Sequence, residues 1–201
     1  MRCSFIGAAG LCLATLSQAQ ALSEPAAVPN PSATGPDWAL SVGTTHLSAG
    51  GRGADEHALS LRRFGQAGSL AVERLQLQRF GQSDAALALD AYPRLWSGAY
   101  AHLRYQRAEE ATLYPASAWR AELYQNVGQG WEAAASRDSL GFSAPVQIDG
   151  VALAKYWGNF YLRWRHQQVR ADASSGRGDR WVLRHYPRGE ADHYLEAFVS
   201  N

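Results

Sequence analysis

The sequence predicts an all-β protein, an antiparallel up-and-down transmembrane β-barrel of about 11–12 strands. Three observations support this prediction: short segments of alternating polarity, many charged side chains on their polar side, and aromatic residues near their ends. No stretch shows the apolar periodicity of an amphipathic helix. The 201 residues suffice for one such domain, and the formal net charge of +1 gives no basic field for nucleic acid.

The chain begins with the features of a secretory signal peptide. The positively charged Arg2 is followed by an apolar run at residues 5–16 and by small residues before an expected cleavage after Ala21, or alternatively after Ala19. The apolar run is too short for a transmembrane helix, which needs about 20 residues. Both cysteines precede the cleavage site, so the mature domain has no disulfide. We predict a signal peptide at residues 1–21, a flexible lead-in at residues 22–36 and the barrel at residues 37–201.

Four segments alternate most clearly between apolar and polar residues. In each, one face is apolar and the other carries Arg, Glu, Gln or His, as expected for strand side chains that alternate faces. In the segment at residues 72–80, Leu75 and Leu77 fall opposite Arg74 and are predicted to face lipid. The other three segments are residues 97–107, 118–127 and 159–168.

Seven further segments fit less cleanly, and turn residues such as those at 65–68, 128–130 and 174–178 separate the segments. The total is about eleven strands, whereas single-chain bacterial barrels have an even number. We therefore expect either that one or more final strands follow residue 201 or that the count is wrong by one. The seven segments are residues 38–49, 56–64, 84–94, 130–140, 146–156, 179–186 and 193–200.

The polar faces supply the candidate site residues. Arg163 and Arg165 are two positions apart and point the same way, so that Glu122 or Glu132 on a facing strand could neutralise them. Two interpretations stay open: a structural ladder of ion pairs inside the barrel, and a site for an anion or a glycan. The polar residues predicted to face the lumen are Arg104, Arg120, Glu122, Glu132, Arg163 and Arg165.

Aromatic residues near the predicted strand ends favour a membrane location. Tyr and Trp side chains form girdles at both membrane interfaces of a barrel, because each ring is largely apolar but carries one polar group that can bind water. A soluble periplasmic β-sandwich or barrel that binds a ligand also has alternating strands, and it stays open as an alternative. The aromatic residues concerned are Trp38, Tyr92, Trp96, Tyr114, Trp131, Tyr156, Trp157, Trp181 and Tyr186.

Blocks along most of the mature chain resemble the YaiO family of outer-membrane β-barrel proteins. The most specific blocks are residues 90–94, which read DAYPR, and residues 156–161, which read YWGNFY. The chain departs from the family at residues 133–135, which are alanines where many members have a glycine-rich strand, and at its end, which lacks a final Phe or Trp. The other matching blocks are residues 79–81, 84, 100–105, 113–115, 122–125, 130–132, 137, 141–142, 155, 163, 165 and 184–186.

The resemblance implies a protein of the Gram-negative cell envelope, located in the outer membrane. Its implied partners are the lipid bilayer and the barrel-insertion machinery, with no nucleic acid. The resemblance also implies a role in polysaccharide export or another envelope interaction, because relatives of this barrel type occur beside polysaccharide-related modules.

The chain has no strong signature of an enzyme or a metal site. His46 and Ser48 have the spacing of a His-x-Ser pair on one strand face, which leaves an outer-membrane lipid hydrolase as an alternative function. The six histidines are scattered without ligand spacing, and the P-loop, GxGxxG and GxSxG motifs are absent. We therefore predict no catalytic residues, no metal and no cofactor.

Overall fold

A computed structural model describes residues 37–49, 52–172, 174–188 and 193–201, and the strands within these ranges form one antiparallel sheet. Each strand pairs with the next one in the chain, which confirms the predicted all-β, up-and-down architecture. Among the described strands, β1 and β11 do not pair with each other, so the sheet is open between them. The strands are β1 (Trp38–Ala49), β2 (Arg52–Gly65), β3 (Gly68–Arg79), β4 (Gln82–Trp96), β5 (Ala99–Ala108), β6 (Ser117–Gly128), β7 (Trp131–Gly141), β8 (Val146–Trp157), β9 (Phe160–Ala171), β10 (Ser174–His185) and β11 (Leu195–Ser200).

One predicted turn belongs to a strand. Residues 174–178, whose serines and glycines predicted a turn, form the first part of β10 and pair in regular register with the end of β9. The chain reverses before Ser174, and Asp172 there has a φ of 50°. The predicted signal peptide and lead-in, residues 1–36, lie outside the described residues. In the part of the chain that the structure describes, no helix is long and apolar enough to cross a membrane.

The strand reversals define two ends of the sheet. The near end contains the start of β1 and the reversals that lead into β3, β5, β7, β9 and β11, and the far end contains the other reversals. At the near-end turn between β6 and β7, Gln129 and Gly130 have φ values of 52° and 78°. A Cβ on Gly130 would lie 2.5 Å from the carbonyl oxygen of Tyr156, so this tight turn requires glycine.

The outer face of the sheet carries an apolar belt, which on β5 and β6 extends toward the far end as far as Tyr105 and Trp119. Exposed leucine, valine and aromatic side chains form this belt, as expected where a barrel meets hydrocarbon. Four tryptophans that are 40–58% exposed mark its near edge and correspond to the predicted aromatic girdle. They are Trp38, Trp96, Trp131 and Trp157.

Four tyrosines that were predicted for the girdle lie elsewhere, and one of them, Tyr186, lies beside Tyr194 in the connection between β10 and β11. Tyr92 is buried on the inner face and stacks on His102, with 4.4 Å between the ring centroids. Tyr156 packs beside Tyr161 on the inner face, and Tyr114 is buried in the loop between β5 and β6. The prediction was wrong for Tyr92 and Tyr156 because alternation along the strand, and not closeness to its end, decides which face a side chain occupies. It was wrong for Tyr114 and Tyr186 because these residues lie in connections between strands.

The two faces of β3 are opposite to the prediction. Leu75 is buried on the inner face, where it packs with Ala86 and Tyr114. Arg74 lies on the outer face, between the exposed Leu59 of β2 and Leu87 of β4, and donates a hydrogen bond to Glu109 at 2.9 Å. The inner face is apolar at this place because the ring of Tyr114 reaches it, so the leucines pack inside rather than against lipid.

The sheet curls around its inner face. Ion pairs join strands that are not neighbours: Arg104 of β5 reaches Glu73 of β3, and Arg163 of β9 reaches Glu122 of β6. Such contacts require the sheet to bend toward that face. The curled sheet thereby removes the charged side chains of the inner face from water.

Candidate functional site on the inner face

The centre of the inner face holds a cluster of three buried ions. Glu122 Oε1 accepts hydrogen bonds from Arg163 Nη2 at 2.7 Å and from Arg165 Nη2 at 3.0 Å. The Glu122 side chain is 1% exposed and each arginine side chain is 4% exposed. Because an unpaired buried charge is costly, the three groups stabilise the fold as a set rather than singly.

A glycine in β8 makes room for this cluster. Gly150 lies on the inner face, and a Cβ there would be 2.6 Å from Ser136 Oγ and 3.6 Å from Arg165 Nε. Arg165 also donates a hydrogen bond to Ser136 Oγ at 3.1 Å. Gly150 thus leaves the space through which the Arg165 side chain passes over β8 and β7 to reach Glu122.

A second inward pair lies in β6 and β7. Arg120 donates to Asp138 through both Nε, at 2.6 Å, and Nη2, at 3.3 Å. Both side chains are buried. A forked contact of this kind is geometrically specific, so it helps to fix the position of β7 beside β6.

A third group joins β3, β4 and β5. His102 Nε2 lies 2.6 Å from Asp90 Oδ1, and Arg104 contacts the other carboxylate oxygen. Arg104 also donates a hydrogen bond to Glu73 at 2.7 Å. His102 is fully buried, so its ring is held by Asp90 on one side and by the stacked ring of Tyr92 on its face.

Tyrosine rings line the near end of the inner face. Tyr100 stacks on Tyr124 with 4.4 Å between centroids, and Tyr156 packs beside Tyr161 at 4.6 Å. Tyr124 and Tyr161 are buried, whereas Tyr100 and Tyr156 are partly exposed. The row of rings therefore has an accessible edge at the near end.

Glu132 lies at this accessible edge. The Tyr100 hydroxyl donates a hydrogen bond to Glu132 at 3.2 Å. The rings of Tyr186 and Tyr194, 5.7 Å apart, extend the aromatic surface into the connection between β10 and β11. We call these partly or fully exposed residues, with Tyr156, the tyrosine rim: Tyr100, Glu132, Tyr156, Tyr186 and Tyr194.

At the far end, the loop at residues 109–116 folds onto the inner face. Asp84 accepts hydrogen bonds from three consecutive backbone N–H groups, those of residues 112–114, at 2.9–3.0 Å. Tyr114 donates a hydrogen bond from its hydroxyl to Glu56 at 2.7 Å. Burial and the nearby Glu56 carboxylate raise the pKa of Tyr114, so its hydroxyl stays protonated and keeps donating.

The six residues predicted to face the lumen all lie on the inner face, but in separate groups. Glu122 binds Arg163 and Arg165, whereas Glu132 belongs to the tyrosine rim. The remaining two arginines have carboxylate partners of their own and are Arg104 and Arg120.

Sequence reasoning placed His102 on the polar face of its strand, with Arg104, but did not count it among the lumen candidates, and it missed Asp138 and Asp84. Asp138 is in phase with Glu132, which was assigned inward, so strand alternation alone could have found it. No local signal marks Asp84, because its partners are backbone groups in a loop 28–30 positions away.

The His-x-Ser pair lies on β1, away from the inner-face groups. His46 Nδ1 lies 2.5 Å from Asp55 Oδ1, and both side chains are exposed on the outer face. Ser48 follows two positions later on the strand, but its side chain lies outside the described part of the structure. Within the described ranges, no three His, Cys, Asp or Glu side chains are grouped so as to hold a metal ion.

The family comparison agrees with this architecture. The model of the YaiO membrane β-barrel domain matches residues 37–201, a range that contains all the strands described above. No curated protein matches the chain. The apolar belt of the outer face and the charged inner face are the two surfaces that a membrane barrel requires. The chain therefore belongs to the YaiO family of membrane β-barrel domains.

Proposed function

We propose that this protein is an outer-membrane β-barrel of the Gram-negative envelope that binds an envelope polysaccharide at its tyrosine rim. The observation that carries the proposal is the rim itself, where accessible tyrosine rings lie beside the carboxylate of Glu132. A sugar ring has apolar C–H faces and hydroxyl edges. Aromatic rings pack against the faces, and a carboxylate with a phenol hydroxyl accepts and donates hydrogen bonds at the edges.

The centre of the inner face has a structural role in this proposal. Glu122 and its two arginines are almost wholly buried and bind one another, so a glycan could reach them only by breaking their ion pairs. Of the two interpretations left open by the sequence, the structural ladder is therefore the better one for these residues. The signal peptide predicted at residues 1–21 supports export, and the barrel-insertion machinery would then place the protein in the outer membrane.

Binding of polysaccharide isolated from the producing strain to the purified full chain in detergent tests the proposal. We expect Tyr100→Ala with Tyr156→Ala to weaken binding by at least about fivefold, because two stacking rings are lost. Tyr105→Ala is the matched control, since Tyr105 lies on the outer face of β5 and is half exposed. Unchanged binding by the double variant would refute a glycan site at the rim.

A second candidate, an outer-membrane lipid hydrolase, is favoured by the contact between His46 and Asp55. In serine hydrolases, an acid orients a histidine, which takes the proton of the serine hydroxyl as that oxygen attacks the ester carbonyl. Ser48 would be this nucleophile. Ser48→Ala would then abolish fatty-acid release from phospholipid vesicles, whereas Ser41→Ala, a control on the same strand, would not. No release by the unaltered protein would exclude this candidate.

A further inference from the structure

The outer face carries a groove that is separate from the tyrosine rim and from His46. It lies over β5, β6, β7 and β8 and has a volume of about 480 Å³. Ala101, Ala121 and Ala135 line it as small side chains, and Leu103 and Leu123 stand beside them. The groove exists because alanines occupy outer-face positions where much of the belt has leucine, valine or tryptophan.

A cluster of three charged residues closes one side of the groove. Arg137 and Asp149 line it directly, and Arg137 Nε donates to Asp149 Oδ1 at 2.7 Å. Arg170 Nη2 lies 3.0 Å from the other carboxylate oxygen. The arginine side chains are 56% and 51% exposed, and that of Asp149 is 24% exposed. Two cations thus share one anion, which leaves one net positive charge open to the surroundings.

On β7 and β8 the charged cluster lies at the far edge of the apolar belt, whereas on β6 and β5 the belt continues one step farther, to the exposed rings of Trp119 and Tyr105. On β7, the outer-face residue on the near side of Arg137 is Ala135, and on β8 the one on the near side of Asp149 is Val151, which is exposed. On the far side of the cluster, the outer-face residue of β7 is Ser139. The groove therefore runs from the belt, which meets hydrocarbon, to a cationic group at the level of the lipid head groups.

We propose that this groove binds an anionic glycerophospholipid, with one acyl chain over the alanines and the phosphate at Arg137 and Arg170. The outer face of a membrane barrel meets lipid, so an acyl chain is the molecule available to fill an apolar groove there. Charge complementarity selects the head group, because the single net positive charge matches a single phosphate. Guanidinium groups recognise phosphate through paired N–H donors. A groove of this size holds one chain rather than the several chains of a phosphorylated glycolipid.

Native mass spectrometry of the full chain in detergent tests this proposal, with phosphatidylglycerol and phosphatidylcholine of matched chains as probes. We expect phosphatidylglycerol to bind about tenfold more tightly, and Arg137→Gln to remove most of that preference without weakening phosphatidylcholine binding. Ala135→Leu should weaken both lipids by filling the groove. Arg74→Gln is the matched control, since Arg74 is an outer-face arginine of similar exposure that pairs with Glu109 on another part of the sheet.

Four results would overturn the proposal. Equal affinity for the two lipids would show that the cluster does not select charge. If Arg137→Gln and Arg170→Gln both kept the preference for phosphatidylglycerol, the head-group contacts assigned to these arginines would be refuted. If one of the two variants does not fold, the other alone decides this point. Tighter binding of lipid A than of phosphatidylglycerol would contradict the assignment to a one-phosphate glycerophospholipid. Unchanged lipid binding in Ala135→Leu would in turn contradict the position given to the acyl chain.

Discussion

Among the described residues, each face of the sheet carries a cluster in which one carboxylate lies between two arginines. On the inner face the carboxylate is Glu122, and it and its arginines are at most 4% exposed. On the outer face the carboxylate is Asp149, and its arginines are more than half exposed. The two clusters use strands of the same region, β6 and β9 inside and β7, β8 and β9 outside.

The difference in burial gives the two clusters different roles. A buried ion depends on its partner, because removal of the partner leaves a charge in a medium of low polarity. An exposed ion pair contributes little to stability, since water and salt screen it, and its charges remain available to a ligand. We therefore assign the inner cluster to the stability of the curled sheet and the outer cluster to recognition.

The largest expected effect is that of Glu122→Gln. This variant leaves Arg163 and Arg165 without their shared carboxylate, and we expect the free energy of unfolding to fall by about 3–5 kcal/mol. Denaturant unfolding of the full chain in detergent, followed by tryptophan fluorescence, measures this change. A loss below about 1 kcal/mol would mean that the inner cluster behaves like a surface pair.

Asp84→Ala should have an intermediate effect, because Asp84 is a buried carboxylate whose partners are neutral N–H groups rather than cations. We expect the variant to lose about 1–3 kcal/mol of stability, since three backbone donors lose their acceptor. The freed loop should also be cut faster at Glu109 and Glu110 by a glutamate-specific protease. Asp55→Ala, which removes an exposed carboxylate, is the control, and equal cleavage in both variants would contradict the role given to Asp84.

The smallest expected effect is that of Asp149→Asn. We expect a loss of at most about 1 kcal/mol, because the ion pairs are exposed. The loss should vanish in 1 M salt, where the Debye length is about 3 Å, whereas the loss caused by Glu122→Gln should persist. Denaturant unfolding of both variants at low and high salt makes the comparison. A loss that does not respond to salt would place Asp149 with the buried ions.

Strand alternation predicted which residues share a face but not which face is inside. For Arg163 and Arg165 alternation was enough to predict the inner face, because two arginines are costly on the lipid face of a barrel. For Leu75 and Arg74 the predicted faces were exchanged: Leu75 lies inside and Arg74 outside. The reason is that the loop with Tyr114 reaches the inner face and makes it apolar at that place. Such a loop contact joins residues that are far apart in the chain. The alternation of apolar and polar residues along a strand therefore cannot reveal it.

The partner of the two arginines was left open between Glu122 and Glu132 for a related reason. Strand register places Glu132 level with Arg163, through Ala154 of β8. The arginines nevertheless extend diagonally to Glu122, since Gly150 leaves an open path across β8. Register can be inferred from a sequence, whereas the direction of a long side chain depends on the space around it.

The span of the Glu122 cluster also bears on how the sheet reaches its final register. Each strand pairs with its chain neighbour, whereas Glu122 contacts arginines 41 and 43 positions away. Hairpins can therefore form early at little entropic cost, and the cluster can close only after β6 to β9 have paired. A slip of one residue in β9 would turn both arginines toward lipid. The three buried ions come together only when every intervening strand is in register. The cluster thus stabilises the correct register over the slipped ones.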